Sequence, residues 1–142
     1  IREFNVNGLS VISLSTVVSN YFEKVGKGTL AVISSVAGDR GRKSNYLYGS
    51  AKGATSLFLQ GLRNRLSSTG VNIITIKPGM VATPMTANMP KSFLFSKAEA
   101  VGRGIYNAIN NGKDIAYVPG FWRCVMLVIK LIPEFIFKKM NL

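Results

Sequence analysis

Across residues 4–25 apolar positions recur at Phe4, Val6, Leu9, Ile12, Leu14, Val17, Val18, Phe22 and Val25, with Ser and Asn between them. The span is too long for a strand, and its spacing predicts a helix despite many β-branched residues. Gly26 and Gly28 end it. The β-rich run TLAVIS at 29–34 reads as a buried strand. Residues 36–45 carry Gly38, Asp39, Gly41, Ser44 and Asn45, a loop composition.

Residues 47–67 then place Ala51, Ala54, Leu57, Phe58, Gly61, Leu62 and Leu66 at helical spacing, and Gly70 stops the helix. VNIITI at 71–76 is the second buried strand. Pro78-Gly79 forces a turn, and a Thr-, Pro- and Met-rich loop runs to Pro90. Ser96 with Glu99 three residues on has the form of a capping box, predicting a helix over 97–110. A third short strand is expected at 114–118. Alternating helices and strands imply a mainly parallel α/β sheet with right-handed crossovers. Such sheets bind ligands beyond the carboxyl ends of their strands, where Ser34-Ser35 and Pro78-Gly79 fall.

The chain has 142 residues, 47 % of them apolar, enough for a core and against disorder. Eighteen Lys plus Arg against six Asp plus Glu give a formal charge of +12. That favours anionic partners such as phosphorylated cofactors, phosphorylated lipids, acidic membranes or nucleic acid, without choosing among them. The single Cys124 rules out an intrachain disulfide, and with no histidine the ordinary zinc and redox-metal ligands are lacking, so no metal site is expected. Residues 1–7 match neither a signal peptide nor an initiating sequence, so the chain is expected to begin inside an element.

Tyr48 and Lys52 lie four apart near a predicted helix start, hence on one face. A free phenol, pKa about 10, is a poor base at neutral pH. A nearby ammonium favours the phenolate and makes proton exchange with an alcohol or carbonyl oxygen feasible. Lys52 could also donate hydrogen bonds to the ribose of a nicotinamide nucleotide. Ser35, thirteen residues before Tyr48, could hold the substrate oxygen, and Asn7 a water or carbonyl behind Lys52. Each has a plainer role: a solvated helix pair, a strand-end cap, a buried polar helix residue.

Asn7 in FNVNG, GTLAVISSVAG ending at Gly38, YGSAK from Tyr48 to Lys52, and IKPGMVATPM from Ile76 to Met85 together resemble the second half of a short-chain dehydrogenase/reductase. The resemblance implies a catalytic tetrad of Asn7, Ser35, Tyr48 and Lys52, and an NAD or NADP cofactor held by Tyr48, Lys52, Pro78, Gly79, Val81 and Thr83. Val81 would approach the nicotinamide, and Thr83 its carboxamide or the pyrophosphate. It also implies a Rossmann-like doubly wound sheet. The family's glycine-rich first turn precedes the Asn7 helix, so the expectation is a partial catalytic domain over 1–142, lacking the nucleotide-binding half and inert alone. A non-catalytic oligomerising fragment is the alternative.

Two basic features bear on the substrate. DRGRK at 39–43 sets Arg40, Arg42 and Lys43 between Ser35 and Tyr48; it is either a soluble basic loop or a receiver of an anionic substrate. The stretch FWRCVMLVIKLIPEFIFKK, within an apolar-basic helical extension over 120–142, is divided by Pro133 and fits either an interfacial helix or packing on the domain or a sister subunit. With SSVAGDRGRKSNYLYGSAKGA, this tail is similar to the reductase component of the decaprenylphosphoryl-ribose 2-epimerase. That likeness implies reduction of a keto-sugar on a polyprenyl phosphate, an oxidase partner, and a cytoplasmic enzyme at the inner face of the membrane. A reductase of another lipid, steroid or acyl ketone is the competitor, and a homo-oligomer is expected. Nucleic acid fits poorly, because the basic residues are scattered and no binding motif accompanies them.

Overall fold

A computed structural model describes residues 1–88 and 92–140; Pro90, the end of the expected Thr/Pro/Met loop, lies outside them, as do the last two residues of the tail. The first helical stretch is α1 (Arg2–Phe4), a π-helical segment (Asn5–Leu9) and α2 (Ser10–Val25), which ends on Gly26 in the left-handed conformation. β1 (Gly28–Ile33) leads through a 3-10 turn (Val36–Gly38) into α3 (Tyr46–Arg65), and β2 (Val71–Pro78) follows. After β3 (Met80–Ala82), a 3-10 turn (Pro84–Thr86) and β4 (Phe95–Lys97) come α4 (Ala98–Asn110), β5 (Ile115–Val118), α5 (Trp122–Leu131) and α6 (Glu134–Phe137).

β1, β2 and β5 form a parallel sheet in that order, with Gly28 opposite Val71 and Thr75 opposite Ile115. β2 lies at the centre and is buried on both faces, as a continuous apolar run in a parallel sheet should be. Alternation along β2 sorts the core. Ile73 joins Val32, Leu59, Leu62 and Leu66 under α3, while Ile74 and Ile76 pack with Val101, Ala108, Ala116 and Val118 under α4. Helices thus cover both faces, and the crossovers α3 and α4 return each chain segment parallel to the last.

Two sequence expectations are corrected. The segment after Pro78-Gly79 is not all loop, because β3 pairs in parallel with β4, Met80 opposite Phe95. Ser96 therefore lies in a strand and caps nothing; α4 starts after Lys97, with no side-chain cap. Three-residue strands paired across twelve intervening residues leave no periodicity to read.

The tail divides at Pro133 as expected. Trp122, Val125, Met126 and Ile129 recur at helical spacing and turn α5 inward onto Val36, Met80, Leu94 and Tyr117. Its other face leaves Leu127, Val128 and Leu131 exposed. Among the described residues, no helix is long and apolar enough to cross a membrane.

Candidate active site

Ser35 follows the carboxyl end of β1. Its extended backbone starts the 3-10 turn, and its Oγ accepts a hydrogen bond from the Ala37 amide at 3.1 Å. The turn lies directly on α3, where close approach demands glycine. A Cβ on Gly38 would meet the backbone of Lys52 and Gly53 at 2.7 Å, and one on Gly49 would meet the Ala37 carbonyl at 2.8 Å. Ser34 secures the contact: its Oγ donates to the Lys52 carbonyl at 3.0 Å and shares a hydrogen bond with Ser56 Oγ at 2.7 Å. This seam brings the Ser35 segment against the turn of α3 that carries Tyr48 and Lys52.

Lys52 is 8 % exposed, and its Nζ donates to the Ile33 carbonyl at 3.3 Å. The ammonium stands 5.7 Å from the centroid of the Tyr48 ring. Burial pulls the Lys52 pKa below its ordinary value, and the charge of Glu3 pushes partly back. Because the folded state disfavours the ammonium, this cost is present at neutral pH. It is relieved as pH rises from the lowered folded pKa toward the ordinary lysine value of about 10.4. Urea titrations should therefore show Lys52→Met more stable than the parent at neutral pH, with the gap closing as pH approaches that value. A gap that widened with pH would contradict the burial argument.

Asn7 lies in the π-helical segment, a local unwinding often found at functional positions. Its carbonyl accepts from Thr55 Oγ1 on α3 at 3.1 Å, while its side-chain Nδ2 donates to Glu3 Oε2 at 3.0 Å. The side chain thus engages Glu3, whose charge acts on Lys52, rather than Lys52 itself.

The second group gathers around the end of β2. The Gly79 amide donates to the Val118 carbonyl at 3.1 Å. The Trp122 indole occupies the space a side chain would need: a Cβ on Gly79 would lie 1.8 Å from Trp122 Nε1. Pro78 is the last residue of β2, opposite Val118. Val81 is half-buried in β3 opposite Ser96, and Thr83 is exposed, its amide donating to Thr86 Oγ1 at 3.1 Å.

The sequence reading missed a buried cluster beneath the Ser35 turn. Asp39 is an ionic partner of Lys77 and accepts from the Tyr117 hydroxyl at 2.6 Å; Asp39 and Lys77 side chains are 3 % and 11 % exposed. Lys77 and Tyr117 are register partners on β2 and β5, so both point the same way. Burial, then the hydrogen bond and charge of Asp39, push the Tyr117 phenol above its usual range, keeping it protonated as donor. The signal was a lysine inside the apolar run VNIITIKP, since a buried charge needs a partner. Trp122 was also missed as a site neighbour; it is 4 % exposed, and its Nε1 has no hydrogen-bond partner among the described residues.

Arg40 is not available to a ligand. Its Nη1 donates to the Ile129 and Ile132 carbonyls at 2.5 and 2.6 Å, its Nη2 pairs with Glu134 at 3.0 Å, and its guanidinium lies 3.8 Å over the Phe137 ring. It holds the last turn of α5 and α6 to the loop.

A parallel α/β sheet with helices on both faces, and a helix laid across the turn after its first strand, has a Rossmann-like architecture. The short chain dehydrogenase family model matches residues 1–92, and the chain belongs to that family. It is 36 % identical over 129 residues to an uncharacterized oxidoreductase of Mycobacterium tuberculosis, covering 91 % of this chain and 52 % of the relative. Among solved structures, a short-chain dehydrogenase from Burkholderia cenocepacia in complex with NADP superposes with a TM-score of 0.73 at 19 % identity, over 92 % of this chain and 58 % of that one. One from Sphingobium yanoikuyae in complex with NADPH also gives 0.73, at 16 % identity over 96 % and 55 %. The chain spans about half the length of the curated relatives it first matches.

These matches correct the description of the chain as a C-terminal half with the nucleotide-binding half lacking. The family match covers residues 1–92 and contains a parallel β-α-β unit, β1–α3–β2. The fold is accordingly assigned as Rossmann-like, and the expectation that the chain is inert alone, which rested on the half-domain description, goes with that description. The narrower likeness to the decaprenylphosphoryl-ribose epimerase component is likewise replaced by membership of the family.

Proposed function

We propose that the protein is an NAD(P)-dependent oxidoreductase in which Tyr48 exchanges a proton with the oxygen of a secondary alcohol or ketone. The observation that carries this reading is the glycine seam between the Ser35 turn and α3, which sets Ser35 beside a helix turn where a buried ammonium stands 5.7 Å from the Tyr48 ring. Ser35 orients the substrate oxygen, Lys52 favours the phenolate, and Asn7 supports proton return toward solvent. The residues fit a nicotinamide nucleotide. Lys52 commits one of its three N–H donors to Ile33, leaving others for ribose hydroxyls. Pro78, Gly79, Val81 and Thr83 flank the nicotinamide side. When bound, the cofactor supplies or accepts the hydride; the protein contributes position and electrostatics.

NADP bound to the Burkholderia relative and NADPH bound to the Sphingobium relative support the cofactor class. Trp122 is the only tryptophan and packs on Gly79, so it reports on this turn. Titration with NADPH and NADH should quench its fluorescence saturably, and deuterium from 4-deuterated cofactor should appear on the carbinol carbon of a reduced ketone. Absence of both signals over a ketone panel would sink the reading.

For the substrate we favour a keto-sugar on a polyprenyl phosphate, with an oxidase as supplier of the ketone. Support comes from the basic loop and the exposed apolar face of the tail, Leu127, Val128, Leu131 and Phe135, beside Arg123, Lys130, Lys138 and Lys139. The same face supports peripheral contact with the cytoplasmic side of a membrane. Residues 1–142 belong to one catalytic domain, with 120–142 as a helical extension within it. Exposed Leu14 and Val17 on α2 and Leu57 on α3 support a homo-oligomer.

A further inference from the structure

The loop that carries Arg40 into the tail also carries Arg42, and the two arginines differ in what they meet. Arg40 is saturated by carbonyls, a carboxylate and an aromatic ring. Arg42 is half-buried, yet its guanidinium has no hydrogen-bonding or ionic partner among the described residues. It lines a cavity of about 250 Å³ together with Lys43, Glu134, Phe137, Lys138 and Met140. Burial pulls the guanidinium below its ordinary pKa, the mark of a cation removed from water without compensation.

Among the described residues, the charges around the cavity do not cancel. Glu134 is the carboxylate on its wall, and Arg40 already pairs with it at 3.0 Å. Among the described residues, Arg42, Lys43 and Lys138 then remain as three cationic residues lining one concave space, two from the loop and one from the tail after α6. A half-buried guanidinium offers a planar fork of donors that matches two phosphate oxygens, and ammonium groups add point charges around it. Carboxylates share the charge but not the tetrahedral set of acceptor oxygens that three separated donor groups would meet.

We propose that this cavity is a phosphate-binding site, with Arg42 as the bidentate donor and Lys43 and Lys138 as flanking cations. The loop holding Arg42 runs directly into α3, so a phosphorylated ligand bound here is tethered near the segment that leads to Tyr48. The phosphate can belong to a soluble metabolite or to a lipid headgroup, whose chains would pass Phe137 and Met140 toward the exposed face of the tail.

Calorimetric titration of the full chain with inorganic phosphate, at ionic strength held constant with sodium chloride, tests the site. It needs neither cofactor nor ketone, so its failure and the failure of the hydride-transfer reading are distinguishable. Saturable binding should weaken about tenfold or more in Arg42→Gln and in Lys138→Gln, as loss of a charge-assisted hydrogen bond predicts. Lys113→Gln removes the same charge from an exposed position outside the cavity and should leave binding unchanged. No saturable binding, or an equal loss in Lys113→Gln, overturns the proposal. With the phosphate result positive, vesicles of phosphatidic acid in phosphatidylcholine name the source. Capture that Arg42→Gln abolishes assigns a lipid headgroup, and no such capture assigns a soluble phosphate.

Discussion

Tyr48→Phe should lower turnover about 10²- to 10⁴-fold, the usual worth of a positioned general acid–base group, while leaving cofactor affinity and stability close to those of the parent. The ring is retained, so the 5.7 Å relation to the Lys52 ammonium survives. The hydroxyl makes no hydrogen bond within the described fold, so its removal strands no buried partner. The measurement is kcat with the best ketone of the panel, alongside the dissociation constant from Trp122 fluorescence and a urea midpoint. Turnover within twofold of the parent would remove Tyr48 from the chemistry. A large fall in the urea midpoint would make its role structural.

Asp39→Ala should destabilise the fold by about 3–5 kcal/mol, because deleting one member of a buried ion pair leaves the other charge without compensation. Lys77 would be the stranded group, and Tyr117 would lose its acceptor as well. Adding Lys77→Met and Tyr117→Phe to the same chain should recover most of the loss, since the cost lies in the unmatched charge and not in the absence of the pair. Urea unfolding of the single and triple variants decides this. A single variant that costs less than about 1 kcal/mol would mean that water reaches Lys77 freely. The functional reach of the cluster follows from its position: Asp39 comes directly after the 3-10 turn that starts on Ser35, and Lys77 immediately precedes Pro78-Gly79. One carboxylate therefore ties together the ends of all three strands on which the candidate site is built.

Local periodicity carried most of the fold. The long helices and the three strands of the main sheet are marked by apolar spacing and glycine stops, and their observed limits lie within a few residues of those expected. What escaped depends on partners distant in the chain. β3 and β4 are strands only because they pair, and Ser96, which locally resembles a cap, is drawn into that pairing. The π-helical turn at Asn7 has no composition signal. Ser35, Tyr48 and Lys52 were legible as a candidate set, and the glycines of the seam are what lay the Ser35 turn against α3. Arg40 and Arg42 were not separable by sequence, because two arginines in DRGRK look alike until the tail folds back onto one of them.

That fold-back has a consequence for how the molecule breathes. The end of α5 is fastened to residues 36–45 through one guanidinium that donates to the carbonyls of Ile129, Lys130 and Ile132. Separating the two would expose those carbonyls and the Phe137 ring, a cost that favours tail and loop opening together. The same guanidinium thereby links the outer surface of the molecule to the segment between Ser35 and Tyr48.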